Sequence, residues 1–142
     1  DSAILKGTVR TFSGEVRAYA KESIKKISEL TAKTHGASIE IEYSDGYPVM
    51  SNTKHQTDFA RRVAEHVSGK DIAYAEKVMG AEDFSYMLEE KPGCFMFIGN
   101  GLGEGGCSIH NPHYDFNDNV LTLGSSYWAC LVEEFLRDPV VG

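Results

Sequence analysis

Apolar residues follow two different periods along this chain, and the changes between them mark its elements. From Val16 onward, Tyr19, Ala20, Ile24, Ile27 and Leu30 recur at helical spacing among lysines and glutamates, which predicts an amphipathic helix with a solvated face. Ser13 is placed to cap its start, and Gly36 to supply the left-handed residue that closes it. The flanks read differently. Ile4, Val9 and Phe12 make residues 3–12 a strand, although Gly7 interrupts the alternation. Ile39, Ile41 and Tyr43 alternate with Ser38, Glu40 and Glu42 in a second strand with one buried and one wet face. The first lobe is thus expected to be strand, helix, strand, ending at the turn-rich residues 44–48.

Beyond that turn the pattern is again mixed. Thr53 with Gln56 three residues on forms a capping box, and Phe59, Val63 and Val67 recur every fourth residue until Gly69. Residues 72–78 read as a short strand. Residues 81–90 read as a short helix buried through Phe84, Met87 and Leu88 and stopped by Pro92-Gly93. The continuous apolar run 94–98 has the pattern of a strand buried on both faces. Five glycines in residues 99–106 give a loop able to wrap close to a ligand. A last helical stripe, Val120, Gly124, Tyr127, Trp128, Leu131 and Phe135, runs to Arg137, with Asn117 or Asp118 as its cap and Tyr127 and Trp128 as core. The second lobe is therefore expected to be α/β.

Composition narrows the function more than the fold. With 142 residues, 42% hydrophobic and 25% charged, the chain is an ordinary folded domain or two small lobes. A net charge of −7 and the absence of any long Lys or Arg run argue against a phosphate-binding surface, so nucleic acid is not an expected partner. No apolar run approaches the roughly eighteen residues of a membrane span, and no membrane partner is expected. Cys94, Cys107 and Cys130 are odd in number and lack C-x-x-C spacing, which points to a reducing cytoplasm rather than a disulfide framework. The sequence opens without Met, and residues 4–12 already read as strand, so the chain is expected to be a piece of a longer protein.

Candidate chemistry concentrates in residues 108–118, where two His, two Asp and Asn residues follow the buried strand and the glycine loop. Ligand sites of α/β sheets gather beyond the carboxyl ends of strands. His110 there can bind a divalent cation through one ring nitrogen while a backbone carbonyl or carboxylate holds the other. The competing reading makes these residues turn formers and helix caps, with His113 beside Pro112 a solvated loop histidine.

Four segments carry a resemblance. Gly7-Thr8-Val9-Arg10-Thr11-Phe12, Gly80-Ala81-Glu82-Asp83-Phe84-Ser85, Phe95-Met96-Phe97-Ile98-Gly99 and Ile109-His110-Asn111-Pro112-His113-Tyr114-Asp115-Phe116-Asn117-Asp118 resemble, in order, signatures of the hippurate hydrolase and N-acyl-amino-acid amidohydrolase branch of the M20 peptidases. The resemblance implies that residues 1–47 are half of a ferredoxin-like α+β lid, or dimerisation, lobe. Residues 48–142 would be the closing α/β portion of a zinc-peptidase-like catalytic domain.

The same resemblance implies functional roles. His110 falls on the family's metal-ligating histidine, one ligand of a site for two divalent ions such as zinc or manganese. Arg10 would grip the substrate carboxylate bidentately, or else stand as a solvent-facing arginine. Glu82 would shape the substrate pocket, or else satisfy a helix N-terminus, where carboxylates are stabilised. Asn111 of the His-Asn-Pro motif joins the substrate-binding set. The family's Cys-x-His pair, its other metal ligands and its Glu general base have no counterpart in this sequence; Cys107 is followed by Ser108 and Ile109.

A paired-metal amidase needs a metal-activated water and a base, which one histidine does not supply. The expectation is therefore the carboxy-terminal portion of a metal-dependent amidohydrolase that cleaves small N-acyl amino acids or similar hippurate-type conjugates. This portion alone is expected to be inactive and not to retain its metal. The alternative is a non-catalytic dimerisation or small-carboxylate-binding module derived from that family. Half a lid leaves an open sheet edge and an uncovered apolar face, so a homo-oligomer formed through the lid is expected.

Overall fold

The computed structural model describes residues 2–102 and 106–137. Four α-helices follow in order, α1 (Gly14–Thr34), α2 (Lys54–Ser68), α3 (Phe84–Glu90) and α4 (Leu121–Arg137), the last entered through a 3₁₀ turn at Asp118–Val120. The chain gathers into two compact units, one of residues 1–51 and 77–89, the other of residues 52–76 and 90–142.

In the first unit, α1 begins and ends where the pattern places it. Ser13 is extended, and its hydroxyl accepts the Val16 N–H at 3.4 Å. At the other end Gly36, at φ 67°, donates to Lys33 O while Ala37 donates to Ala32 O. This crossed pair is a Schellman closure, which needs the left-handed residue that glycine adopts without penalty. No side chain of α1 is buried, and Tyr19 and Ile27 of the expected apolar stripe are 73% and 63% exposed.

Polar contacts lay residues 43–47 along α1. The Lys21 ammonium lies 2.7 Å from Asp45 and 4.7 Å above the Tyr43 ring, and Arg17 donates to the Tyr47 carbonyl. Tyr47 also meets Tyr86 of α3 edge to face, with centroids 5.7 Å apart. Within α3 the fully buried residue is Ser85, while Met87 stands exposed. Ser85 is satisfied locally, since both its hydroxyl and its N–H donate to Glu82 O.

In the second unit α2 packs on α4. Ala60 and Val63 of α2 are 5% and 4% exposed, Tyr127 of α4 is buried, and Phe59 meets Phe135 edge to face. Tyr127 therefore belongs to the core as expected, but Trp128, one residue on, is turned out and exposed. Gly124 lets α4 approach the apolar run closely, because a Cβ there would lie 3.3 Å from Ile98 Cδ1. Gly69, at φ 64°, ends α2 by donating to Glu65 O.

The capping box expected at Thr53 and Gln56 does not form. Thr53 makes no side-chain bond to the start of α2. Its hydroxyl accepts instead from the Gly93 N–H at 3.2 Å, and its own N–H donates to Gly93 O. The buried Gln56 Oε1 is left without a partner among the described residues.

Residues 3–12, 38–43, 72–78 and 94–98, expected as strands, carry no strand pairing among the described residues. A strand exists only where a second backbone takes its N–H and C=O groups. At Phe95 a side chain takes that place. Asn52 Oδ1 accepts the Phe95 N–H at 2.8 Å, and Asn52 Nδ2 donates to Phe95 O at 2.9 Å, so one amide imitates one rung of a ladder.

Candidate functional site

The loop that leads into α4 is built from two linked turns. The Asn111 N–H donates to Ser108 O at 3.2 Å, and the Tyr114 N–H donates to Asn111 O at 3.0 Å, so Asn111 ends one β-turn and starts the next. In the first turn His110 occupies the third position with φ 70°. Among the described residues it is the one non-glycine at positive φ. Turns with a left-handed third position ordinarily place Gly or Asn there.

In the second turn Pro112 follows Asn111, and the Asn111 side chain closes a local ring by accepting the His113 N–H on Oδ1 at 2.9 Å. His110, Asn111, His113 and Asp115 are all exposed. The Tyr114 and Phe116 rings meet edge to face at 5.3 Å, and Asp115 Oδ1 accepts the Phe116 N–H.

Both ends of this loop are tied together by two asparagines. Asn100 follows the apolar run and Asn117 precedes the 3₁₀ turn. Asn100 Oδ1 accepts the Asn117 N–H at 2.8 Å, Asn100 Nδ2 donates to Asp115 O at 2.8 Å, and Asn117 Nδ2 donates to Asn100 O at 3.0 Å. Asn117 Oδ1 accepts the Asn119 N–H at 3.1 Å, so of the two residues expected to cap the last helix it is Asn117 that does so, through the 3₁₀ turn. In the sequence Asn100 reads as part of a glycine loop. Its one distinguishing signal is position, with glycine on both sides, at the end of the apolar run 94–98, which was expected to be buried on both faces but leaves Phe97 and Ile98 exposed. Gly103 and Gly105 of that loop lie outside the described residues.

His110 and Asn111 belong to the second unit, and Arg10 and Glu82 to the first. Arg10 is exposed and donates to Thr8 Oγ1 at 2.9 Å. Glu82 is half-buried; its carbonyl accepts from Ser85, and its Oε1 accepts the Phe84 N–H at 3.5 Å, an arrangement that serves the start of α3. Among the described residues no three His, Cys, Asp or Glu side chains come together to hold a metal ion. His110 thus offers one ligand where a bound divalent ion commonly takes three or four from protein.

Burial in the second unit is enough to shift titrating groups. Burial pushes the Tyr127 phenol up to about 12, with the charge of Cys94 adding to the effect, and the phenol lies 2.9 Å from Met96 Sδ. Burial likewise raises the Cys94 thiol, partly opposed by a hydrogen bond with Thr57. Neither group is thereby readied as a nucleophile, because the reactive forms are the anions that burial disfavours.

Residues 3–134 match the model of peptidase family M20/M25/M40. Hippurate hydrolase of Campylobacter jejuni is 32% identical over 139 residues, covering 96% of this chain and 36% of its own length. Thermostable carboxypeptidase 2 of Saccharolobus solfataricus is 31% identical over 138 residues, or 95% of this chain and 35% of its own length. N-acetylcysteine deacetylase of Bacillus subtilis is 31% identical over 132 residues, or 91% of this chain and 33% of its own length. The chain therefore spans about a third of the length of these curated relatives. No solved structure matches it. On the match of nearly its whole length, the chain belongs to peptidase family M20/M25/M40.

Proposed function

We propose that this chain is the carboxy-terminal portion of a cytoplasmic, metal-dependent amidohydrolase that cleaves the amide bond of N-acyl amino acids or similar conjugates, with His110 as one of its metal ligands. The observation that carries this reading is the backbone of His110. A left-handed, exposed turn position is filled by histidine, although Gly or Asn would fit it at lower cost. Strain kept at an exposed imidazole, inside a doubly closed turn, is explained by a demand on that side chain. The names hippurate hydrolase and N-acetylcysteine deacetylase among the relatives support the substrate class.

In this reading the family's α/β architecture uses 3–12, 38–43, 72–78 and 94–98 as strands, with pairing strands from the rest of the protein. Residues 1–47 form part of the lid and residues 48–142 the end of the catalytic domain. Two divalent ions, when bound, would lower the pKa of a bridging water and polarise the amide carbonyl. Arg10 grips the substrate carboxylate, and Glu82 and Asn111 border the substrate site. The full protein is a homo-oligomer through its lid, and the isolated chain neither retains metal nor turns over.

Metal analysis of the full-length protein tests the assignment. Wild-type protein is expected to carry about two divalent ions per chain, and His110→Ala to lose at least one of them together with most hydrolysis of an N-acyl amino acid. Equal metal content in the two proteins would remove His110 from the ligand set.

A further inference from the structure

We propose that Asn100 and Asn117 are the positioning residues of His110: their reciprocal amide pair, with the Asn100 bond to Asp115 O, fixes the chain just after the linked turns 108–114 and so holds the left-handed turn that carries the imidazole. Each side chain engages the other residue's backbone. Asn100 Oδ1 takes the Asn117 N–H, Asn117 Nδ2 donates to Asn100 O, and Asn100 Nδ2 extends the tie to Asp115 O. Gly101 supplies an independent sign that the geometry is built. It sits at φ 82°, a left-handed conformation that favours glycine, beside Asn117, whose Nδ2 would lie in ordinary contact, 3.4 Å, with a Cβ there.

The anchor points are firm ones. Asn117 also caps the 3₁₀ turn that opens α4, and α4 packs against Ile98 beside Gly124, two residues before Asn100. The tie therefore transmits the position of the α4 start and of the apolar run to a loop whose His110 is itself exposed. Holding the turns by side-chain bonds removes conformations that would otherwise be lost when a ligand binds. The role of these bonds in metal binding rests on the proposed assignment of His110 as a ligand; their role in holding the His110 turn does not.

The test uses the full-length protein with three variants. Asn117→Asp keeps an oxygen for the Asn119 N–H but cannot donate to Asn100 O; Asn100→Ala removes both side-chain arms of Asn100; His110→Ala reports on the ligand itself. In metal-free protein labelled with 13C at histidine Cε1, the His110 resonance is expected to broaden or move toward the unstructured-histidine position in both asparagine variants. Cobalt titration is expected to show affinity about tenfold weaker in both, the scale on which supporting residues act on a metal site. A His110 resonance unchanged in both asparagine variants would overturn the positioning role, whatever their melting temperatures. Cobalt binding unchanged in His110→Ala would overturn the ligand assignment instead, and the metal-free spectra would still decide the positioning role.

Discussion

At His110 the backbone and the side chain ask for different residues. A left-handed φ of 70° costs a non-glycine residue roughly 1 kcal/mol or a little more, whereas glycine adopts it freely but gives up chain entropy on folding. Replacement by glycine should therefore stabilise the protein slightly, by up to about 1 kcal/mol, while removing the imidazole. Replacement by alanine keeps the strain and should leave the protein less stable than the glycine variant. Urea unfolding of the two variants checks the order. An alanine variant more stable than the glycine variant would mean that the turn in solution is not left-handed.

Tyr127 shows the opposite case, a group whose titration is set chiefly by burial, with the charge of Cys94 adding to it. Its phenol is raised to about 12 by burial, against an ordinary value near 10 for the unfolded chain. Between these values the unfolded form gives up a proton that the folded form keeps. Stability from this group is thus complete below about pH 10 and falls as pH rises toward 12. Tyr127→Phe should flatten that part of the alkaline fall. The measurement is the urea midpoint at pH 9 and pH 11, and an equal drop in wild type and variant would contradict the assignment.

At the scale of elements, α2 and α4 carry the described core of the second unit. Val63 of α2 is 4% exposed. Val63→Ala should destabilise the second unit by about 2 kcal/mol, from two lost methyl groups and the cavity they leave. Chemical denaturation followed by far-UV circular dichroism tests this, and a loss under about 0.5 kcal/mol would show that the site repacks. The helices were legible in the sequence because a 3.6-residue period, a Ser13 cap and the Gly36 and Gly69 stops are local signals that act where they stand. The strand segments were legible only as candidates, since alternation tells which face would be buried and not which backbone will pair. Thr53 misled for a related reason: its hydroxyl had a distant competitor, the Gly93 N–H, that no spacing announces. His110 could be singled out from its motif, but the pair that ties its loop could not, because Asn100 and Asn117 meet only after the chain folds.

At the scale of the whole molecule, α1 presents an exposed apolar face. Val16, Tyr19, Ile24, Ile27 and Leu30 form one apolar stripe, and all five are exposed, while the polar contacts of α1 are made through Arg17 and Lys21. Burying such side chains is worth roughly 1.5–3 kcal/mol each, so a surface of this kind favours contact with another apolar face. The proposed oligomer through the lid would supply one. Charge works against it, because two copies each carrying −7 repel one another at long range. The balance makes a signed prediction. If copies associate through α1, the sedimentation coefficient of the chain should rise with salt, as screening shortens the repulsion to about 10 Å or less near 0.1 M while the apolar gain persists. Ile27→Glu, which adds a charge to the centre of the stripe, should return the protein to the monomer at all salt concentrations without loss of helical circular dichroism. Association that weakens with salt would mean ionic contacts hold the copies together, and association unaffected by Ile27→Glu would place the contact away from α1.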